Sequence, residues 1–315
     1  MVNIVYCFDN NYNLQAFSSI TSLLDSAKEG INLHIIHKEK ISKQDFPRVI
    51  VNHNKLISLT TYEFNIPKAD FPNVDNTHVS EATYYRIYVD RFLDPEIETF
   101  LYVDADIIFL NDVTTFIKDF SKQLIESKYV ICATTEYLNT RSNFERFENL
   151  NMNSSRYLNA GVMLVDLKKW RQQQIETQLL EIQNKMLSKL IYWDQDVFNT
   201  FFDGRYVELP QKLNFNPSNV VFTKESIKQI YKNVICVHYN GKTKPWTVRG
   251  IVSKDSQFFY KEYRKLGISN YLIKHTRKKN SLKHLIYSII NLKFLRIDKK
   301  VQFIYEFFKS MKLQN

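Results

Sequence analysis

The 315-residue sequence predicts an α/β protein: a mostly parallel sheet flanked by helices, followed by a basic helical extension at the C-terminal end. Three observations carry that expectation. Short apolar runs of strand length alternate with helix-period segments, the pattern of a parallel sheet covered on both faces. Acidic residues close two of the runs, at Asp9 and at Asp104 and Asp106, which is where ligands of such sheets sit. The charge is also uneven: residues 271–315 carry 11 Lys and Arg against 2 acidic residues, whereas the rest of the chain is close to neutral within a net charge of +10.

In chain order, residues 3–8 form an apolar strand closed by Asp9-Asn10-Asn11, a cluster that caps and turns. Leu14, Phe17, Ile20 and Leu24 then share one helical face. Residues 33–37 read as a strand, 43–54 as a helix, 57–62 as a strand, and 80–92 as a helix started by Ser80. After the central stretch come strands at 129–134 and 161–166, helices at 168–189 and 194–202, and a short strand at 234–237. The division expected is a catalytic body over 1–268 and a basic amphipathic extension over 269–315.

The central stretch is FLYVDADIIFLNDV, residues 100–113. Its apolar residues read as a strand buried on both faces, with the two carboxylates near its end. Side chains at i and i+2 of extended backbone point to the same side, so Asp104 and Asp106 converge, and small Ala105 keeps the turn uncrowded. With no Lys or Arg beside them in sequence, a hard divalent cation shared with a diphosphate would relieve their repulsion. The plainer reading is two loop aspartates that cap turns.

Cys7, Cys132 and Cys236 are odd in number and widely spaced, which suggests neither a disulfide framework nor a zinc cluster but a reducing cytoplasm. No leader-like N-terminal segment and no apolar run of spanning length is present in the sequence. In the extension, Lys274, Arg277, Lys278, Lys279 and Lys283 precede large aliphatic and aromatic residues interleaved with more Lys. That pattern suits an anionic membrane surface on the inner face of the cell membrane; a helical hairpin packed on the body is the alternative. Nucleic acid is not expected as a partner, because the basic residues interleave with aliphatics instead of lining one patch.

Six segments, IVYCFDNNY, ATYYRIYV, LYVDADII, YLNAGVMLVDLKKW, WDQDVFNTFF and HYNGKTKPW, together resemble glycosyltransferase family 8 in order and spacing. The likeness is to the bacterial galactosyl- and glucosyltransferases of lipooligosaccharide and lipopolysaccharide cores and, more distantly, to glycogenin. The resemblance implies a GT-A fold, a Rossmann-like nucleotide-binding sheet, and a retaining enzyme that moves galactose or glucose from a UDP-hexose to a saccharide or lipid-linked saccharide. It also implies Mn²⁺, with Mg²⁺ as the alternative, held by Asp104, Asp106 and His238; a nitrogen ligand beside two carboxylates favours the transition ion.

By the same resemblance Asp9 and Asn11 read the uridine, and helix capping is a second role open to Asn11. Arg86 bridges diphosphate or donor sugar. Asn159, Ala160 and Gly161 face the sugar, as do Asp194, Gln195 and Asp196, with Gln195 near the anomeric carbon. Asn240, Gly241 and Lys244 belong to the loop that folds over the diphosphate, glycine admitting backbone and lysine supplying a point charge. Asn240 departs from the family, where close relatives often have Cys. The remaining histidines, His34, His37, His53, His78, His275 and His284, read as ordinary hydrogen-bonding residues.

Retention can proceed through a covalent carboxylate intermediate or by front-face attack, and an uncharged glutamine, a poor nucleophile, favours the latter. Two other classes compete. An Asp-x-Asp phosphohydrolase would place its motif after the first strand with small residues following, whereas here Ile-Ile-Phe follows. A non-catalytic protein binding sugar nucleotide or membrane would not need Asp194-Gln195-Asp196 intact.

Overall fold

The computed structural model describes residues 1–66, 71, 80–241, 243–275 and 277–313; His78 and Lys242 lie outside them. In chain order the strands are β1 (Val2–Phe8), β2 (Ile31–His37), β3 (Leu56–Glu63), β4 (Thr99–Val103), β5 (Ile107–Phe109), β6 (Ile131–Leu138), β7 (Arg156–Asp166), β8 (Val207–Glu208) and β9 (Cys236–His238). Seven of them form one sheet in the order β3-β2-β1-β4-β7-β6-β8, and β5 pairs with β9 apart from it. The pairings β3-β2, β2-β1, β1-β4 and β6-β8 are parallel, and β7 runs antiparallel to both β4 and β6. The expected mostly parallel sheet is therefore present, reversed only at β7.

The alternation of side chains across β1 explains the helices on both faces. Val2, Ile4, Tyr6 and Phe8 enter one core, shared with Phe17, Ile20 and Leu24 of the helix Asn13–Ser26. Val5 and Cys7 enter the other, with Tyr85, Trp170 and Phe198.

The chain departs from its sequence pattern in four places that matter for the site. The run 100–113 is not one strand: β4 ends at Val103, the Asp104 N–H makes its bond to the Gly161 carbonyl (2.9 Å), and the chain leaves the sheet so that Ile107 pairs with His238. Apolar periodicity continues across the break, so only the two carboxylates mark it. Residues 80–92 form a 3-10 helix, Glu81–Arg91, capped by Ser80, which puts Thr83 one turn from Arg86 on the same face. β7 begins at Arg156, so Asn159, Ala160 and Gly161 lie inside a strand. β6 runs on to Leu138, which takes Glu136 into the sheet.

Two predicted helices are also broken. Pro47 divides 43–54 into a 3-10 turn, Lys43–Asp45, and a short helix, Arg48–Val51. Gln174, in the left-handed region at φ 51°, separates Leu167–Gln172 from Ile175–Met186.

The C-terminal extension packs on the body. Tyr271, Ile273, Leu285, Ile297, Phe303 and Phe307 are buried in a third core with Trp246, Phe258, Phe259 and Tyr263. The outer faces of its helices Lys278–Ile290 and Lys300–Leu313, with the 3-10 turn Lys293–Arg296 between them, leave Ile286, Ile290, Leu295, Val301, Tyr305 and Phe308 exposed among lysines. Among the described residues, no helix is long and apolar enough to cross a membrane.

Candidate active site

A cavity of about 700 Å³ opens beyond the carboxyl ends of β1 and β4, with Asp104, Asp106, Asn159, Asp194, Gln195 and His238 on its wall. The crossing from β4 to β5 supplies the two carboxylates, and pairing of β5 with β9 supplies the histidine. One ligand atom from each of Asp104, Asp106 and His238 lies within 4.8 Å of the others. His238 Nε2 stands 3.2 Å from Asp106 Oδ1 and 3.9 Å from Asp104 Oδ2.

These residues fit a divalent cation. Asp106 Oδ1 is buried without a hydrogen-bond partner, a costly state for a charged oxygen. A Cβ on Gly161 would stand 2.4 Å from His238 Cε1 and 2.8 Å from Asp104 Oδ2, so only glycine leaves the cluster its space.

The carboxylates have basic neighbours that the sequence does not place beside them. Lys244 ion-pairs with Asp106 and also donates to the Tyr239 carbonyl. Burial raises the Asp106 carboxyl, but Lys244, together with His238 when that ring is protonated, outweighs it and holds the group well below the usual carboxylate range. Burial likewise works against the Lys244 ammonium, and Asp106 pushes its pKa up. Expected on the diphosphate, Lys244 is here the counter-ion of Asp106, because a buried carboxylate takes the nearest cation.

Arg86 lines the same cavity and directs its hydrogen bonds to protein groups. Its Nη1 donates to Asp104 Oδ1 (3.0 Å) and the Ala160 carbonyl (2.6 Å), and its Nη2 to Asp194 Oδ1 (3.2 Å) and Thr83 Oγ1 (3.0 Å). Nε donates to Asp194 Oδ2 and to the Thr83 carbonyl. Burial opposes the guanidinium charge, and Asp104 and Asp194 more than offset it. Arg86 therefore ties the helix Glu81–Arg91 to the Asp-x-Asp turn and to the start of the helix Trp193–Phe202.

The sugar-side residues divide. Gln195 Oε1 accepts from the Ala160 N–H (3.1 Å), and Nε2 donates to Glu136 Oε2 (3.1 Å). Asp196 turns away: it accepts from Tyr157 Oη (2.6 Å) and from the N–H groups of Ile191 and Tyr192 (both 2.7 Å), so it braces the helix start instead of facing a sugar. Ala160 and Gly161 contribute backbone groups, and Asn159 contributes its side chain.

At the first strand-to-helix junction Asp9 is the N-cap, accepting from the Asn11 N–H (2.9 Å) and from Ser80 Oγ (2.5 Å). Asn11 donates its amide to Asp9 (3.4 Å); the cavity wall there is Tyr12. Asn240 donates to Glu136 Oε1 (3.2 Å), and Gly241, at φ 78°, turns the following loop through a conformation that favours glycine.

Glu136 and Asn214 escaped the sequence reading. Glu136 binds Asn159, Gln195 and Asn240; its only signal is an acidic residue just past a predicted strand. Asn214 receives His238 Nδ1 (2.8 Å) from a loop that carries no pattern. Tyr137, Tyr192 and Trp193 line the mouth, with the Arg146 guanidinium over the first two rings at 4.0 and 4.4 Å.

A mostly parallel sheet with a cluster of carboxylates and an imidazole beyond its strand ends defines an α/β protein with its site at the carboxyl ends of the strands. The sequence pattern of Glycosyl transferase family 8 matches residues 3–249, and the chain belongs to that family; it is a glycosyltransferase. It is 25% identical over 291 residues to General stress protein A of Bacillus subtilis strain 168, covering 84% of this chain and 94% of that protein. It is 27% identical over 259 residues to the lipopolysaccharide 1,2-glucosyltransferase of Escherichia coli K12, covering 78% of this chain and 72% of that enzyme. The galactosyltransferase LgtC, solved with donor and acceptor sugar analogs, superposes with a TM-score of 0.68 at 23% identity over 85% of this chain and 97% of that chain, a likeness that shows the GT-A fold.

Proposed function

We propose that this glycosyltransferase moves a hexose, glucose or galactose, from a UDP-sugar to a hydroxyl of a lipopolysaccharide- or lipooligosaccharide-type saccharide, with retention at the anomeric carbon. The observation that carries the reading is the convergence of Asp104, Asp106 and His238 in the same cavity as Asp194 and Gln195. The name of the Escherichia coli relative supports a glucosyl donor and a lipopolysaccharide acceptor. The sequence resemblance keeps galactose beside it.

Asp104, Asp106 and His238 would hold the cation, Mn²⁺ or Mg²⁺, which when bound neutralises charge on the leaving diphosphate. Around it, the side chains favour front-face attack. Gln195 is uncharged and its amide is fixed at both ends. Asp194 is buried and engaged by Arg86 and Thr83, so it orients sugar hydroxyls and is a poor nucleophile. The bond from the anomeric carbon to the phosphate oxygen breaks as the acceptor oxygen bonds the same face, and the acceptor proton passes to the departing phosphate oxygen. Tyr137, Tyr192 and Trp193 offer aromatic faces to an acceptor sugar at the mouth.

The C-terminal helices would dock on an anionic membrane at the cytoplasmic face, their exposed apolar residues and lysines bringing the cavity to a lipid-linked acceptor. UDP release measured across the common UDP-sugars with Mn²⁺ tests the catalytic reading. UDP-glucose or UDP-galactose should turn over fastest, and turnover of neither would refute it.

A further inference from the structure

The cavity wall contains a chain of amides whose polarity is set at one end by a backbone group. The N–H of Gly161 can only donate, and it meets Asn159 Oδ1 at 2.9 Å, so that atom is the oxygen. The Asn159 amide nitrogen then points the other way, to Glu136 Oε2 at 3.0 Å, where a carboxylate can only accept. Asn159 Oδ1 also receives the Asn214 amide at 2.9 Å, which must therefore be Nδ2. Asn214 is left presenting Oδ1 to His238 Nδ1, at 2.8 Å. An amide oxygen cannot donate, so Nδ1 carries the proton.

The consequence falls on the other ring nitrogen. In neutral His238 the lone pair is on Nε2, the atom that faces Asp104 and Asp106. With that tautomer Nε2 and Asp106 Oδ1, 3.2 Å apart, face each other as two acceptors, an arrangement that a cation between them would relieve. Asn214 is well placed to impose it. It is 6% exposed, and its neighbour Phe215 bridges to Val237 in β9, which fixes Asn214 beside His238 through backbone bonds.

We propose that Asn214 is a positioning residue which, through the fixed relay Gly161–Asn159–Asn214, holds His238 as the Nδ1-protonated tautomer and so makes Nε2 a cation ligand. Glu136 extends the same relay to Gln195, so the sugar side and the cation side are oriented by one network. The inference deepens the cation-site reading and rests on it only for what Nε2 binds.

The test uses the full-length, metal-free protein with isotope-labelled histidine and nitrogen–proton correlation NMR, followed across a pH series until the ring is neutral. In the wild type, His238 should show a protonated Nδ1 and a lone-pair Nε2. In Asn214→Leu the Nδ1 proton loses its acceptor and should move in part or wholly to Nε2, with Asp106 Oδ1 as the new acceptor. Mn²⁺ affinity by titration calorimetry should then fall roughly 10–100-fold, the usual cost of losing an outer partner of a metal-bound histidine. Asn214→Asp still accepts from Nδ1 and should keep the tautomer, although its second oxygen, facing Asn159 Oδ1, can no longer make the relay bond. A wild-type proton on Nε2 overturns the proposal, even if Asn214→Leu does not fold, and so does an Asn214→Leu variant with unchanged tautomer and affinity. A wild type with the stated tautomer that binds no Mn²⁺ refutes the cation reading while leaving the relay in place.

Discussion

Asp194 is gripped by Arg86 as a fork, Nε on one carboxylate oxygen and Nη2 on the other at 3.2 Å, and both residues are buried. A bidentate pair of this kind fixes direction as well as charge. It joins three separate segments at the cavity floor, since the same guanidinium also holds Asp104. Removing it strands two carboxylates. Arg86→Leu should destabilise the protein by about 3–5 kcal/mol, the usual cost of breaking a buried pair from one side. Urea unfolding of the two proteins checks this, and a loss below about 1 kcal/mol would mark the pair as a screened surface contact.

Among the described residues, the Gln195 side chain hydrogen-bonds Ala160, Glu136 and Tyr157, and none of these bonds is to Arg86, Asp104, Asp106 or His238. Gln195→Ala should therefore lower kcat ten-fold or more, about 1.4 kcal/mol of transition-state stabilisation, while UDP affinity stays near wild type. Steady-state kinetics paired with calorimetric UDP titration separates the two effects. An equal loss in UDP affinity would make Gln195 a nucleotide-binding residue.

The C-terminal extension cannot be treated as a detachable anchor. Cutting before Tyr271 removes Tyr271, Ile273, Phe303 and Phe307 from the third core, each fully buried side chain being worth about 1.5–3 kcal/mol. Truncation should thus lower the melting temperature sharply. Membrane docking is better read with surface substitutions: Ile290→Glu, Leu295→Glu and Tyr305→Glu alter residues 72%, 62% and 64% exposed. The triple variant should keep wild-type stability and turnover of a soluble acceptor yet lose co-sedimentation with anionic vesicles. Unchanged vesicle binding would remove the membrane role from this face.

Asp90, on the same 3-10 helix as Arg86, has its carboxyl pushed up to about 7, first by burial and then by Glu176 beside it. The folded protein therefore keeps this proton to near pH 7, whereas the unfolded chain releases it near about pH 4. The stability from this group is complete below that lower value and is lost as pH rises towards 7. Asp90→Asn should flatten that decline. Urea midpoints at pH 5 and pH 7.5 measure the slope, and parallel slopes in the two proteins would contradict the assignment.

Strands β1, β2 and β3 were legible because each is a run of apolar or β-branched residues bounded by polar ones, and the Asp-x-Asp pair was legible because charge interrupts such a run. The change of sheet after Val103 was not, since Ile107, Ile108 and Phe109 continue the apolar pattern on the far side. Pairings between distant segments leave no local mark: Arg86 with Asp194, Lys244 with Asp106 and Asn214 with His238 arise only once β5 meets β9 and the helices close over β4. Asp196 misled for a related reason. It shares a motif with Asp194 and Gln195, but a helix turns neighbours to different sides, and this one faces Tyr157.

Transfer activity can be measured in excess chelator and again after metal is returned. Because Asp104, Asp106 and His238 form one cluster in the cavity, UDP release coupled to acceptor glycosylation should vanish with chelator. Mn²⁺ should restore it better than Ca²⁺, whose flexible all-oxygen preference does not suit an imidazole ligand. Full activity in excess chelator would contradict a catalytic cation at Asp104, Asp106 and His238.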